Sequence, residues 1–186
     1  MSAPSSAGPI PSLLILGGAR SGKSRLGQIY AEGSAKSPVL VATAEARDDE
    51  MRQRIAHHKA GRGGRWRLVE EPLALHEILG REARGDRILV VDCLTLWLSN
   101  LMLGTHDYTA RCEDLAAAVA TLRGPVIFIS NEVGTGIVPA NALARQFRDA
   151  QGRLNQLMAA ACTTVIWVCA GLPTILKPNL PLDVRL

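Results

Sequence analysis

The sequence predicts an α/β fold in which a mostly parallel sheet carries helices on both faces. Five short aliphatic runs alternate with longer stretches that have the composition and amphipathic spacing of helices. Short apolar runs are typical of strands buried on both faces of a parallel sheet, and their alternation with helices predicts a doubly wound order. The length of 186 residues fits a single domain that can bury a core without disulfides.

The elements follow the apolar pattern along the chain. The predicted strands are Leu13–Leu16, Val39–Thr43, Ile88–Asp92, Val126–Ser130 and Thr164–Ala170. The predicted helices are Lys23–Glu32, Asp48–Lys59, Leu73–Arg84, Thr109–Leu122 and Asn141–Ala161. We expect a domain over residues 13–177, a flexible tail rich in Ser, Pro, Ala and Gly over 1–12, and a C-terminal tail over 178–186. Three prolines in Leu172–Leu186 predict a segment that runs over the surface.

Composition argues against several classes of protein. The net charge of +4 suits phosphorylated small molecules without requiring a nucleic acid, and 4% aromatic residues is too few for a base-stacking platform. No apolar run approaches the about 18 residues of a membrane span, and the start has no secretory pattern, so we expect a cytoplasmic protein. No two of the four cysteines have CxxC spacing, which predicts neither disulfide nor zinc site. Cys93, Cys162 and Cys169 lie in apolar runs and are expected to be buried.

The loop after the first predicted strand carries a phosphate-binding motif. It matches GxxxxGK[ST] between a strand and a helix. Glycines let the backbone wrap an anion, and the helix N-terminus adds positive potential. We expect Lys23 to reach the β- and γ-phosphates and the Ser24 hydroxyl to bind Mg²⁺, so the fold is predicted to be a RecA-like P-loop NTPase. The predicted nucleotide contacts here are Gly17, Gly18, Ala19, Arg20, Ser21, Gly22, Lys23 and Ser24.

Asp92 closes the aliphatic run that begins at Ile88. An acid at a strand end is typical of the Mg²⁺-side carboxylate of P-loop enzymes. The alternative is an N-cap for a helix starting at Leu94. The phosphate-binding motif favours the metal role.

The predicted helix Asp48–Lys59 contains two adjacent histidines. His58 lies on its apolar face, and His57 points about 100° away. A neutral imidazole can attack the α-phosphate of a triphosphate to form a nucleotidyl-histidine. The alternative, which the helix pattern alone favours, is a partly buried structural histidine. The basic, glycine-containing run from Lys59 to Arg67 shifts the balance toward a phosphate contact.

These motifs together resemble one family, the bifunctional adenosylcobinamide kinase / adenosylcobinamide-phosphate guanylyltransferase of cobalamin biosynthesis. The resemblance is carried by GGARSGKSR, ATAEARDDEMRQRIAHHKAGR, the stretch Trp66–Glu70, the VVDC strand end and SNEVGTGIVPANALARQFRDAQGRLNQ. It spans residues 13–177, and the last block is highly specific.

The resemblance implies a function and a site. The enzyme would phosphorylate adenosylcobinamide, a corrinoid, with ATP or GTP, and would then transfer GMP from GTP through a guanylyl-histidine at His58. Glu70 could read the donor groups of guanine. The resemblance also implies a homotrimer with active sites near subunit boundaries. The further nucleotide contacts that it implies are Ala42, Thr43, Ala44, Lys59, Ala60, Gly61, Arg62, Glu70 and Asp92.

For two further features the sequence is consistent with two alternative roles. Glu132 is either a solvated acid in a glycine turn or a group that orients Mg²⁺ or the substrate hydroxyl. The arginine-rich segment Asn141–Gln156 covers either the corrinoid site or a subunit contact.

Two other functions compete with the one that the resemblance implies. A plain P-loop small-molecule kinase would transfer a γ-phosphate without any covalent GMP, and His58 would then be structural. A RecA-like nucleic-acid-binding ATPase is permitted by the pI of 9.1, but the scarcity of aromatic residues and the lack of a long basic stripe argue against it.

Overall fold

The computed structural model describes residues 10–45 and 65–178 and shows a seven-stranded sheet flanked by helices. In chain order the strands are β1 (Ser12–Gly17), β2 (Ser37–Ala42), β3 (Arg67–Glu70), β4 (Arg87–Asp92), β5 (Val126–Asn131), β6 (Thr164–Cys169) and β7 (Leu172–Lys177). The described helices, numbered here in chain order, are α1 (Lys23–Glu32), α2 (Leu75–Glu82), α3 (Leu94–Leu103), α4 (Tyr108–Val119) and α5 (Ala142–Ala161). The predicted helix Asp48–Lys59 lies outside the described residues.

The strand order is β3-β2-β4-β5-β1-β6-β7. All neighbouring strands pair in parallel except β6 and β7, which are antiparallel. The carboxyl ends of the six parallel strands therefore meet at one edge of the sheet, where ligands bind in open α/β folds. This confirms the predicted α/β fold with a mostly parallel sheet.

Alternating side chains of the central strands are buried in two separate cores, one on each face of the sheet. Leu14 and Phe128 face a large cluster with the apolar sides of α2, α3, α4 and α5. Ile15 and Ile127 face a smaller cluster with α1. Helices thus cover both faces, as the continuous aliphatic character of the strands predicts.

Three elements depart from the sequence expectation. Residues 172–177 were expected to belong to an irregular surface segment but form the edge strand β7, which tolerates Pro173 because an edge strand needs fewer backbone donors. The exposed four-residue strand β3 shows no apolar run. Helix α3 is apolar nearly all round and buried, so it gives no amphipathic signal. It was expected only as the helix that a cap at Asp92 would begin.

The sheet begins within the segment that was expected to be a flexible tail. Ser12 already belongs to β1, and Ile10 packs against the larger core.

Two of the three cysteines that were expected to be buried are buried. These are Cys93 and Cys162, whereas Cys169 is exposed, because it ends β6 beside the open edge strand β7. All four cysteines are free.

The edge strand β3 is fixed at its amino end by charge. Glu82 of α2 is buried and forms ion pairs with Arg67 at the start of β3, with Arg87 at the start of β4, and with Arg81. A buried carboxylate needs such partners, so this cluster sets the position of β3 and hence of Glu70 at its other end.

Candidate active site

The loop between β1 and α1 is the centre of the site; we call residues 17–24 the phosphate loop after their sequence motif. A Cβ on Gly17 would lie 2.3 Å from the carbonyl oxygen of Val168. Gly22 has a φ of +101°, and a Cβ there would lie 3.3 Å from the Cα of Gly171. Both positions therefore favour glycine, and the loop packs closely against β6 and the turn that follows it.

Lys23 is the first residue of α1 and is buried, with 6% of its surface exposed. Its Nζ donates a hydrogen bond to the carbonyl oxygen of Gly18 at 2.5 Å and lies 3.5 Å from Oγ of Ser21. The ammonium group is thus folded back over the loop. Because no side chain in the described part of the chain caps the first turn of α1, the positive end of that helix is also open to an anion.

Asp92 is half-buried at the carboxyl end of β4. Its carboxylate makes no hydrogen bond or ion pair with other described residues. The N-cap of α3 is Cys93, and no described side chain caps that turn, so the alternative role of Asp92 as an N-cap does not apply. Burial and, secondly, the charge of Asp92 raise the pKa of the Cys93 thiol to about 11. Asp92 is therefore an available oxygen ligand at this edge.

Thr43 joins the ends of β2 and β4. Its Oγ1 donates to the carbonyl oxygen of Cys93 at 2.7 Å and accepts from the Cys93 N–H at 2.9 Å. Nδ2 of Asn100 donates to the carbonyl oxygens of Thr43, at 2.8 Å, and of Pro72, at 3.2 Å. The hydroxyl of Thr43 is thus occupied within the protein, and any nucleotide contact there would fall to its backbone or methyl group.

The end of β5 lies between the phosphate loop and Asp92. The N–H of Glu132 donates to the carbonyl oxygen of Gly17 at 3.0 Å, and the N–H of Asn131 donates to Oγ1 of Thr95 at 2.8 Å. These two bonds tie the end of β5 to the loop on one side and to α3 on the other.

A buried polar network from α5 supports the same strand end. Nε2 of Gln151 donates to Oγ of Ser130 and to Oδ1 of Asn155, each at 3.0 Å. Nδ2 of Asn155 donates to the carbonyl oxygen of Asn131 at 3.1 Å. None of these residues was predicted to support the site. The signal was present, because Gln151 and Asn155 are polar residues four apart on the buried face of an amphipathic helix.

The predicted site residues follow the strand order across the edge. The phosphate loop follows β1, Asp92 ends β4, Ala42 ends β2 with Thr43 and Ala44 after it, and Glu70 ends β3. Four strand spacings separate β1 from β3, so these groups cover about 19 Å. The residues predicted after β2 that lie outside the described part of the chain are His57, His58, Lys59, Ala60, Gly61 and Arg62.

Comparison with known protein families identifies the family of the chain that carries this site. The model of the family described as cobinamide kinase / cobinamide phosphate guanyltransferase matches residues 13–176. The chain belongs to this family. The sequence resemblance is thereby confirmed, and the match covers the phosphate loop, Asp92 and nearly all of the sheet.

Curated relatives in this family are similar along nearly their whole length. The bifunctional adenosylcobalamin biosynthesis protein CobP of Pseudomonas aeruginosa is 48% identical over 166 residues, which are 88% of this chain and 96% of the relative. The corresponding CobU proteins of Escherichia coli and Salmonella typhimurium are 36% and 38% identical, each over 180 residues that cover 89% of this chain and 99% of the relative.

Solved structures of lower identity show the fold. A protein from Pyrococcus horikoshii OT3 has a TM-score of 0.54 at 12% identity, over 90% of this chain and 87% of its own. The RadB recombinase has a TM-score of 0.50 at 17% identity, over 87% of this chain and 76% of its own. These likenesses and the GxxxxGKS loop after β1 confirm the predicted P-loop fold. Among the helices that the structure describes, none is both long enough and apolar enough to span a membrane.

Proposed function

We propose that this chain phosphorylates adenosylcobinamide with ATP or GTP and then transfers GMP from GTP to the phosphorylated product, giving adenosylcobinamide-GDP. The observation that carries this proposal is the family match over residues 13–176. The phosphate loop supports it physically, because a buried lysine beside a helix N-terminus that no described side chain caps is suited to bind a triphosphate.

Mg²⁺ is the cofactor proposed for both steps. The Ser24 hydroxyl, in the first turn of α1, and the Asp92 carboxylate would hold it. Both are oxygen donors, and Asp92 has no partner among the described residues, so the donor set fits a cation that binds through few protein ligands and phosphate oxygens. When bound, Mg²⁺ would neutralise charge on the phosphate oxygens.

The transferase half requires a nucleophile, for which we propose His58. Its imidazole nitrogen would attack the α-phosphorus of GTP, pyrophosphate would leave, and the phosphate of the corrinoid would then displace the histidine. Lys23 would hold the β- and γ-phosphates. We also assign nucleotide contacts to Lys59, Ala60, Gly61 and Arg62, which follow His58 in the sequence.

The strand order supports a nucleotide lying along the edge of the sheet. Phosphates would sit on the loop after β1, and the base would lie toward β3, where Glu70 could accept hydrogen bonds from the N1–H and N2–H₂ groups of guanine. The segment that contains His58 joins β2 to β3 in the chain. The proposed nucleophile therefore belongs to the chain connection between two strands whose carboxyl ends lie along the proposed path of the nucleotide.

We further propose a homotrimer in the cytoplasm. Strand β7 supports subunit contact, because it is an edge strand whose Leu172, Ile175 and Leu176 are exposed. Four free cysteines support a reducing compartment. Light scattering after size exclusion should give three chains per particle, and Ile175→Lys should lower that number. A monomeric parent protein would contradict the trimer.

The test of the proposed function is covalent labelling. Incubation with GTP labelled at the α-phosphate and Mg²⁺ should leave a label on the protein that is stable to base and labile to acid, as expected for a phosphoramidate. His58→Ala should abolish the label, and His57→Ala should retain it.

Other outcomes identify the alternatives. Full labelling of His58→Ala with loss of label in His57→Ala would place the nucleophile at the neighbouring histidine. If the parent protein takes no label but transfers the γ-phosphate to cobinamide, the transferase activity is excluded and the protein is a small-molecule kinase.

A further inference from the structure

We propose that Glu132 is the general base of the kinase step, the group that accepts the proton of the substrate hydroxyl as that oxygen attacks the γ-phosphorus. This assignment rests on the proposed function and adds a catalytic residue to it. Glu132 directly follows β5, the strand that pairs with β1 on the side of Asp92. Its N–H donates to the carbonyl oxygen of Gly17, so its backbone touches the first residue of the phosphate loop.

The strand order excludes the other carboxylates at this edge. In the described part of the chain, those that end or follow parallel strands are Glu45, Glu70, Glu71 and Asp92. β4 lies two strand spacings from β1, and β2 and β3 lie three and four, which places their ends about 10, 14 and 19 Å away. Asp92, the nearest of these, is already assigned to Mg²⁺. Among the described carboxylates at this edge, Glu132 alone is one spacing from the strand that carries the loop.

The surroundings of Glu132 suit a base. One oxygen, Oε1, accepts a hydrogen bond from the N–H of Gly134 at 2.5 Å, which orients the carboxylate. The other oxygen accepts no hydrogen bond from the described residues, and the side chain forms no ion pair with them. The residues that follow, through Val138, are largely exposed, so the strand end opens to solvent where a bulky acceptor could approach.

The proposed step is balanced within the two substrates and this side chain. A bond forms between the hydroxyl oxygen and the γ-phosphorus, and the bond from the γ-phosphorus to the bridging oxygen of the β-phosphate breaks. The nucleoside diphosphate leaves with that electron pair. The hydroxyl proton passes to Glu132 and then to solvent, so the residue is regenerated after each turnover.

The test compares the two reactions in one variant. Glu132→Gln keeps an oxygen that can accept the Gly134 N–H but removes the base, so we expect kcat for cobinamide phosphorylation to fall about 10²–10⁴-fold. Formation of guanylyl-protein from α-labelled GTP should stay within a few-fold of the parent, because that step deprotonates no hydroxyl. Glu132→Asp, which keeps a carboxylate, should be intermediate in the kinase reaction.

Glu71→Gln is the matched control. Glu71 also follows a parallel strand and accepts backbone N–H groups, from Leu73 and Ala74, at 3.0 and 2.8 Å. It should retain the kinase reaction. Kinase activity of Glu132→Gln near that of the parent would overturn the assignment, and so would an equal fall in phosphorylation and labelling, which indicates a structural role. Absence of label from the parent would instead count against the proposed transferase and leave the kinase comparison valid.

Discussion

The backbone N–H of Gly171 donates a hydrogen bond to the carbonyl oxygen of Ser21, 2.8 Å away. This bond joins the turn between β6 and β7 to the middle of the phosphate loop. The antiparallel pairing of β7 with β6 holds the turn in place. An exposed edge strand at one side of the sheet therefore helps to shape the loop that we propose binds phosphate.

Gly22→Ala should disturb this contact. Its φ of +101° is unfavourable for alanine by about 1–2 kcal/mol, and the added Cβ would press on Gly171. We expect a lower free energy of unfolding in urea and weaker binding of an ATP analogue by calorimetry. Gly80→Ala is the control, because it lies in α2 with no atom within 4 Å of the added Cβ and should stabilise by about 0.5–1 kcal/mol. Unchanged stability and binding in Gly22→Ala would contradict close packing of the loop against the turn after β6.

Thr43→Val should destabilise the fold. The change keeps the shape of the side chain but leaves the buried N–H and carbonyl of Cys93 without their hydroxyl partner. The expected cost is about 1–3 kcal/mol in the free energy of unfolding, measured in urea. Thr109→Val, at an exposed position in α4, should change it by less than about 0.5 kcal/mol. Equal effects of the two variants would mean that the Thr43 hydroxyl does not join the strands.

Lys177→Met should loosen β7 from α5. The Nζ of Lys177 donates to the carbonyl oxygens of Ala159, Ala160 and Cys162, at 2.9, 2.9 and 2.6 Å, and so satisfies the end of α5. Loss of this charged cap should cost about 1–2 kcal/mol in the free energy of unfolding. Lys36→Met removes a single exposed bond to a carbonyl and should cost less. If Lys36→Met proved the more damaging variant, the cap would be unimportant.

One cysteine in four should react with a maleimide in the native protein. Cys169 is exposed, whereas burial raises the pKa of Cys93 to about 11 and the pKa values of Cys112 and Cys162 to about 12. The thiolate is the reactive form, so these three should stay unlabelled as the pH rises from about 7 to 9. Mass spectrometry of the native protein, with a urea-denatured control that labels all four, checks this. Native labelling of a buried thiol would show that the core opens readily.

Sequence predicted the central sheet because its strands are aliphatic on both faces. Runs such as Val126–Ser130 are shorter than a typical helix, and five of the seven described strands were located in this way. The strands that were missed are the two edges, β3 and β7, whose exposed side chains give no burial pattern. Helix α3 was missed for the opposite reason, since it is buried nearly all round.

The candidate site was predictable where its residues lie close together in the sequence or at the end of a strand. The glycines, Lys23 and Ser24 follow each other in one loop, and Asp92 ends a recognisable strand. Other contacts at the site join segments that are distant in the chain. They are the hydrogen bonds of Thr43 with Cys93, of Gln151 with Ser130, and of Gly171 with Ser21. Such pairings depend on strand order, which hydrophobic patterning leaves open.

The order of the strands has a consequence for inhibitor chemistry. Groups at the ends of β1 and β3 are four spacings, about 19 Å, apart, so a small fragment seated on the phosphate loop leaves the neighbourhood of Glu70 free. Two fragments could occupy the edge together without competing. Joining them would require a linker that crosses the ends of β5, β4 and β2, and its length would report whether both fragments bind one continuous groove.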